Sequence, residues 1–225
     1  MTTDKSLDAL RRMMVASSYA GGHAEKTPSV QPGPVIAISR EPGSGGEAIA
    51  ERLSAELSLH LYTWEIVEQI AKDEHVSVQV VSTLEEKGRT ELEDWLAEVR
   101  GNHDLTSYAY VEALRRILFA IASLGNSLIL GRGANFLLPP NKRIGLALVA
   151  PLDVRIRNIM KEREVSEELA WEHIDKLETQ HCEFVKKYFD ADIRDSVHYH
   201  LAINTAMVSP ESIVGIVKEI IRHHS

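Results

Sequence analysis

The residues best suited to chemistry sit in one short run of this 225-residue chain, Arg40-Glu-Pro-Gly-Ser-Gly-Gly46. It follows the apolar stretch Val35-Ile-Ala-Ile38 and precedes a helical pattern with Ile49, Ala50, Leu53 and Leu57 on one face. Strand, glycine loop and helix form the arrangement that aims backbone N–H groups and a helix N-terminus at a phosphate. The usual sequence of such a loop, G-x-x-x-x-G-K-[ST], is not met. Aligning Gly43-Ser44-Gly45 with its middle puts Gly46 in the lysine position and Glu47 or Ala48 in the position of the Mg²⁺-holding hydroxyl. Gly43, Ser44, Gly45 and Gly46 are therefore candidate phosphate donors, Ser44 also through its hydroxyl. A tight strand-to-helix turn is the plainer alternative, but it does not need this glycine density. Arg40 is the nearest cation, and two fates are open to it: replacing the lysine charge, or a surface ion pair with Glu41. Glu47 repels phosphate unless a cation intervenes, so either its side chain points away along the helix, the favoured expectation, or phosphate is held poorly here.

Other candidates are spread along the chain. Arg132 lies between Gly131 and Gly133, directly after the apolar run Ser127-Leu-Ile-Leu130. That places it at the carboxyl edge of a sheet, where its guanidinium fork suits phosphate; a structural salt bridge is the alternative. Arg155, Arg157, Lys161 and Arg163 fall in one helical segment, Arg157 and Lys161 sharing a face, and a solvated charged face is the default for such a run. His198-Tyr-His200 and His223-His224 lack the Cys or acidic spacing of a zinc site, and no metal-ligating residues are assigned. The single Cys182 reads as packing.

The elements that must position these groups alternate. Apolar runs at Val35–Ile38, Ser127–Leu130 and Ile144–Ala150, with shorter candidates at Leu59–Tyr62 and Tyr199–Asn204, are separated by helical patterns. Helices are expected from near Glu47 to Leu57, from Thr63 with that residue as N-cap, and over Ser77–Gly101. Others are expected over Tyr108–Leu124, from Pro151 onwards, over Glu167–Tyr188, and from Pro210 to about His223 with Ser209 as cap. Asn102–Thr106 is a polar break. This alternation predicts an α/β fold with a parallel sheet covered on both faces, and ligands on such sheets bind at the carboxyl ends of the strands. Residues 1–33 read differently: a short amphipathic stretch (Leu7, Leu10, Met13, Met14), then a Ser/Gly/Pro-rich linker. Two parts are expected, a flexible N-terminal segment over 1–33 and one domain over 34–225.

Composition narrows the partners. A net charge of −8 argues against general nucleic-acid binding, yet allows a small anion in a locally basic cleft. One cysteine suits a reducing compartment, and no apolar run reaches membrane-spanning length. The expectation is a cytoplasmic protein with a small-molecule partner, neither nucleic acid nor membrane, with homo-oligomer formation left open.

Several landmarks then coincide. Ile38-Ser-Arg-Glu-Pro-Gly-Ser-Gly-Gly46 resembles the opening signature of the cytidylate kinase-like family, a divergent branch of P-loop nucleoside monophosphate kinases. Leu130-Gly-Arg-Gly-Ala-Asn135 is similar to its second signature, Leu148–Arg157 to the strand and helix before the lid, and Leu201-Ala-Ile-Asn-Thr205 with Val208-Ser-Pro-Glu211 to its last strand and helix start. The resemblance implies a P-loop kinase fold: a five-stranded parallel sheet with helices on both faces, a helical acceptor-binding region and a lid. It implies ATP and Mg²⁺ as cofactors, and phosphoryl transfer to a small acceptor, a pyrimidine nucleoside monophosphate such as CMP being the first expectation. A nucleotide-binding regulatory protein that keeps the fold without efficient catalysis is the alternative. By the same resemblance Arg132 grips the acceptor phosphate and Arg157 and Arg163 neutralise the transferring group. Glu65 stands at the start of the acceptor-binding helices, where helix-start electrostatics explains it equally well. The chain departs at Glu47, where relatives commonly carry Arg, and at Gly133, which replaces an acid. It departs again at Thr179 and His181, where arginine is frequent, although Lys186 and Lys187 keep positive charge close by.

Overall fold

A computed structural model describes residues 33–65, 67, 90–94, 96, 105–131 and 133–223. Expectations for the segment before residue 33 and for most of the helical stretch between Ile66 and Asp104 lie outside these residues, as does Arg132.

Five strands form one parallel sheet in the order β2-β3-β1-β4-β5: β1 Val35–Arg40, β2 His60–Thr63, β3 Ser127–Leu130, β4 Ile144–Val149 and β5 Leu201–Asn204. Each of the four pairings is parallel, with Ile38 beside Leu130 and Leu146, and Val149 beside Asn204. The central strands are apolar on both faces because both faces are covered. On one face Ile36, Ile38, Leu128, Leu146 and Leu148 pack with Ile49, Ala50 and Leu53 of α1 (Gly46–Leu57) and with Ile213, Val214 and Val217 of the last helix, α6 (Pro210–His223). On the other, Val35, Ala37, Tyr62 and Ile129 pack with Val111, Leu114, Leu118 and Ile121 of α2 (Leu105–Leu124).

Between these come the single-turn α3 (Ala134–Leu137), then α4 (Leu152–Arg163) and α5 (Glu167–Phe189). Ser166 caps α5 by accepting from Leu169 N at 3.4 Å, and Ser209 accepts from Ser212 N at 3.2 Å at the start of α6.

The differences from the sequence expectations are local. Thr63 is the last residue of β2, and helical residues begin directly after it at Trp64 and Glu65, so strand and expected helix meet there without a loop. The helix expected from Tyr108 begins at Leu105, inside the stretch taken for a polar break. Tyr199 and His200 precede β5, because a 3-10 turn over Ser196–His198 turns the chain there. The histidines of that stretch are structural: His200 Nδ1 accepts from Gly145 N at 3.0 Å, and His198 packs edge-on against Phe136 with centroids 5.1 Å apart.

Candidate active site

The loop Glu41–Gly45 leaves β1 at the carboxyl edge of the sheet and is pinned from three sides. Glu41 N donates to Leu148 O at 3.0 Å, the Asn158 side chain of α4 donates to Gly43 O at 2.8 Å, and Thr205 Oγ1, just after β5, donates to Ser44 O at 2.7 Å. Gly43 has a φ of +79° and no room for a side chain, since a Cβ would meet Arg155 O at 2.6 Å. Gly45 is the N-cap of α1 in the left-handed conformation, with no side-chain cap. The opening N–H groups of α1 are thus not consumed by a side-chain cap. Ser44 is 3% exposed, and its buried hydroxyl has no hydrogen-bond partner. A buried hydroxyl left unpaired carries a desolvation cost, and a phosphate oxygen in the loop would relieve it. The residues present therefore fit a phosphate group.

Around the loop, Arg40 pairs with Glu47 and not with Glu41, the ion-pair partner that the sequence left open. Its Nε donates to Glu47 Oε1 at 2.9 Å, so Glu47 turns back toward the loop mouth instead of away along the helix. Glu41 is engaged elsewhere: its Oε2 accepts from Ala150 N at 2.9 Å and lies 3.5 Å from Arg155 Nε. Arg155 also donates to Glu178 of α5 at 2.8 Å. Arg155 is buried, so this Glu41–Arg155–Glu178 cluster ties loop, α4 and α5 together and is structural. A buried guanidinium is tolerated because it is paired on both sides.

The expected cations do not all converge. Arg157 is exposed and bonds Asp153 one turn back at 2.9 Å, on the face of α4 opposite the loop contacts. Arg163 is exposed at the last position of α4. Lys186 is exposed and bonds Asp190 at 2.6 Å at the far end of α5. Glu65 is exposed just after β2. Its neighbour Trp64 is buried and touches Gly131, where a Cβ would meet Trp64 Cβ at 3.0 Å. Gly131 and Gly133 flank Arg132 at the carboxyl end of β3.

A feature absent from the sequence reading is the aromatic cover contributed by α5. Phe184 meets Trp64 edge-on at 6.2 Å and Tyr188 at 4.9 Å, and Phe189 stacks on Phe136 at 5.7 Å. A Cβ on Gly133 would meet Phe184 at 3.2 Å. Glycine at 133, with a φ of +65°, is thus where the α5 aromatics pass close to the chain. Between α5 and the sheet a cavity of about 450 Å³ opens beside Arg40 and Glu41, with Glu178, His181, Cys182 and Arg194 on its walls. Burial raises the Cys182 thiol's pKa, Arg194 partly opposing it. Its sequence signal was the aromatic spacing Phe184, Tyr188, Phe189, which periodicity alone ascribes to core.

The loop, its unpaired buried serine and the 2-3-1-4-5 parallel order agree with what sequence comparison returns, a match over residues 35–207 to the cytidylate kinase-like family. The chain belongs to the cytidylate kinase-like family. Among curated relatives, a cytidylate kinase from Sulfolobus acidocaldarius is 28% identical over 83% of this chain and 93% of its own length. One from Pyrococcus horikoshii is 30% identical over 84% of this chain and 88% of its own. A solved structure, an uncharacterized protein from Eubacterium ventriosum, superposes with a TM-score of 0.57 at 19% identity, covering 84% of this chain and 98% of that one, and so shares the fold. Family membership accounts for the glycine loop at the carboxyl edge of β1. Among the described residues no helix is long and apolar enough to cross a membrane, and no group of three His, Cys, Asp or Glu side chains could hold a metal ion.

Proposed function

We propose that the protein transfers the γ-phosphoryl group of ATP to a nucleoside monophosphate, with CMP the first acceptor to test. The observation that carries this is the loop itself: a left-handed Gly45, an uncapped helix start and a buried, unpartnered Ser44 hydroxyl, in a chain of this family. Phosphoryl transfer asks a protein chiefly to position the reactants and neutralise phosphate charge. Gly43, Gly45 and Gly46 hold the donor phosphates through backbone N–H groups and Ser44 through its hydroxyl, its own N–H donating to Glu41 O at 3.1 Å, and Arg40 lends the cation. Arg132 binds the acceptor phosphate, and Arg163 and Arg157 sit on the helix that leads into the lid turn. Glu65 and Lys186 are the acceptor-side contacts to probe. Mg²⁺, when bound, supplies further neutralisation of the phosphates. Magnesium characteristically uses one or two carboxylates besides phosphates and water.

The second reading, a nucleotide-binding regulatory protein of low catalytic power, is favoured by one observation. Arg157 and Lys186 are held by Asp153 and Asp190 on outward faces. An ADP-release assay with ATP, Mg²⁺ and a panel of nucleoside monophosphates, run beside an ATP titration, separates the two. Turnover is expected, with CMP the best acceptor, and Arg132→Ala is expected to raise the acceptor KM by about tenfold, as loss of a charge-assisted phosphate contact would. ATP binding without turnover on any acceptor supports the regulatory reading, and no binding at millimolar ATP removes both.

A further inference from the structure

We infer that Arg40 and Gly46 have exchanged the two end positions of a P-loop, and that Glu47 holds the exchanged arginine in place. The inference rests on the reading of Glu41–Gly46 as the donor-phosphate loop. In the frame G-x-x-x-x-G-K-[ST] with Gly46 at the lysine, the second glycine is Gly45, the first glycine position falls on Arg40 and the hydroxyl position on Glu47. The cation therefore stands at the strand end of the loop and the glycine at the helix start, the reverse of the usual order.

The packing shows why both changes go together. A Cβ at Gly46 would lie 2.7 Å from Arg40 Cβ and 2.8 Å from Arg40 Cγ, so the arginine stem occupies the space that a side chain at 46 would need. A lysine at 46 and an arginine at 40 exclude each other sterically. From that stem the guanidinium extends to the end of the adjacent strand β3, where Arg40 Nη1 is 3.4 Å from the position of a Cβ on Gly131. The cation thus ends between the loop and the acceptor-side strand, although it starts from the opposite end of the motif. Ser44 Oγ lies 3.5 Å from the same Gly46 Cβ position, so hydroxyl and arginine stem border one space.

Glu47 acts through Arg40. Its carboxylate takes Nε at 2.9 Å, which fixes the orientation of the guanidinium plane and leaves the two Nη groups, the pair that forms a fork to phosphate, outside this contact. Arg40 is 19% exposed and Glu47 58% exposed, so the guanidinium is the sheltered partner and the carboxylate the solvated one. A solvated carboxylate repels a neighbouring phosphate far less than a buried one. Glu47 is therefore a positioning residue, and the acid that looked hostile to phosphate is what aims the replacement cation.

The test is ATP titration of the full chain by calorimetry, with a thermal scan of every variant. Arg40→Gly is expected to weaken ATP at least tenfold, and the reciprocal variant Arg40→Gly/Gly46→Lys to return to within about threefold of the native chain. Rescue by a lysine on the other side of the loop is an outcome that a purely structural role for Arg40 would not produce. If the native chain binds ATP and the reciprocal variant binds no better than Arg40→Gly, the exchange is wrong; if the native chain does not bind ATP, the donor-loop reading fails and takes the exchange with it. Should the reciprocal variant not fold, Arg40→Gln keeps the stem over Gly46 without charge: a loss of about tenfold upholds the exchange, and native affinity overturns it. For Glu47, Glu47→Ala is expected to weaken ATP about fivefold and Glu47→Gln, which still accepts from Nε, to bind at least as tightly as the native chain. Tighter binding by Glu47→Ala would make Glu47 an internal competitor of phosphate and overturn its positioning role.

Discussion

At the scale of single residues, the loop is set by what its neighbours exclude. Gly43 faces the Arg155 carbonyl at 2.6 Å from a Cβ position, with a φ of +79°, whereas Gly215 in α6 has nothing within 4 Å of its Cβ position. The two glycines should therefore respond in opposite directions to alanine. Gly43→Ala combines a left-handed backbone with a clash against main chain, and is expected to destabilise by about 2 kcal/mol or more. Gly215→Ala gains helix propensity in open space and is expected to stabilise by about 0.7 kcal/mol. Urea unfolding of both variants checks the contrast, and equal shifts of one sign would contradict the packing around the loop. The Arg155 cluster belongs to the same scale. The sequence left Glu41 open as a partner of Arg40, but the backbone N–H of Ala150 and the buried guanidinium of Arg155 claim it.

At the scale of elements, α5 does more than its sequence pattern announces. Its first turn is acidic and its last carries Lys186 and Lys187, as the helix dipole favours. Its 23 residues run from the turn after α4, past Glu178 at Arg155, to the aromatic contacts at Trp64 and Phe136. Near its start His173 is half-buried beside the end of α4. Burial first, then the positive charge of Arg163, holds its pKa below the ordinary 6.5, with Glu162 opposing and Lys176 adding to the shift. Above pH 6.5 the imidazole is neutral in folded and unfolded chains alike and has no effect. As pH falls below that value the unfolded chain takes up the proton first, so folding loses stability until the folded value is passed. The native Tm is therefore expected to drop more between pH 7.5 and pH 5.5 than that of His173→Gln, two pH values chosen to straddle the ordinary histidine range. Parallel Tm curves for the two chains would rule out this contribution.

At the scale of the whole molecule, one parallel sheet separates two apolar cores, and the loop sits at the edge where elements from both sides meet. The loop continues from β1 and is hydrogen-bonded by Leu148 of β4 and by Ala150 and Thr205, just after β4 and β5, so a ligand held there would brace three neighbouring strands at once. Binding to the folded chain alone shifts unfolding by mass action. ATP at 100 times its dissociation constant is expected to add about 2.7 kcal/mol, some 5–10 °C in Tm for a domain of this size. A thermal scan over a range of ATP concentrations reads it directly, and a Tm indifferent to ATP would mean that no site of this kind is bound.

The sequence by itself determined the fold class, the five strands, the cap at Ser209 and the position of the loop. These depend on local periodicity, on short hydrogen bonds between near neighbours and on glycine spacing, all of which are written within a few residues. The family signatures were legible for the same reason. Only the tertiary structure decided the partner of Arg40, the burial of Arg155, the outward turn of Arg157 and the passage of α5 over Gly133. Each of these is a choice among several charges or faces of equal local merit, and it is made by residues that the chain brings close from far away. Glu47 shows the difference most plainly. Next to the loop in sequence it reads as a repulsive charge, and only the path of Arg40 over Gly46 turns it into that cation's support.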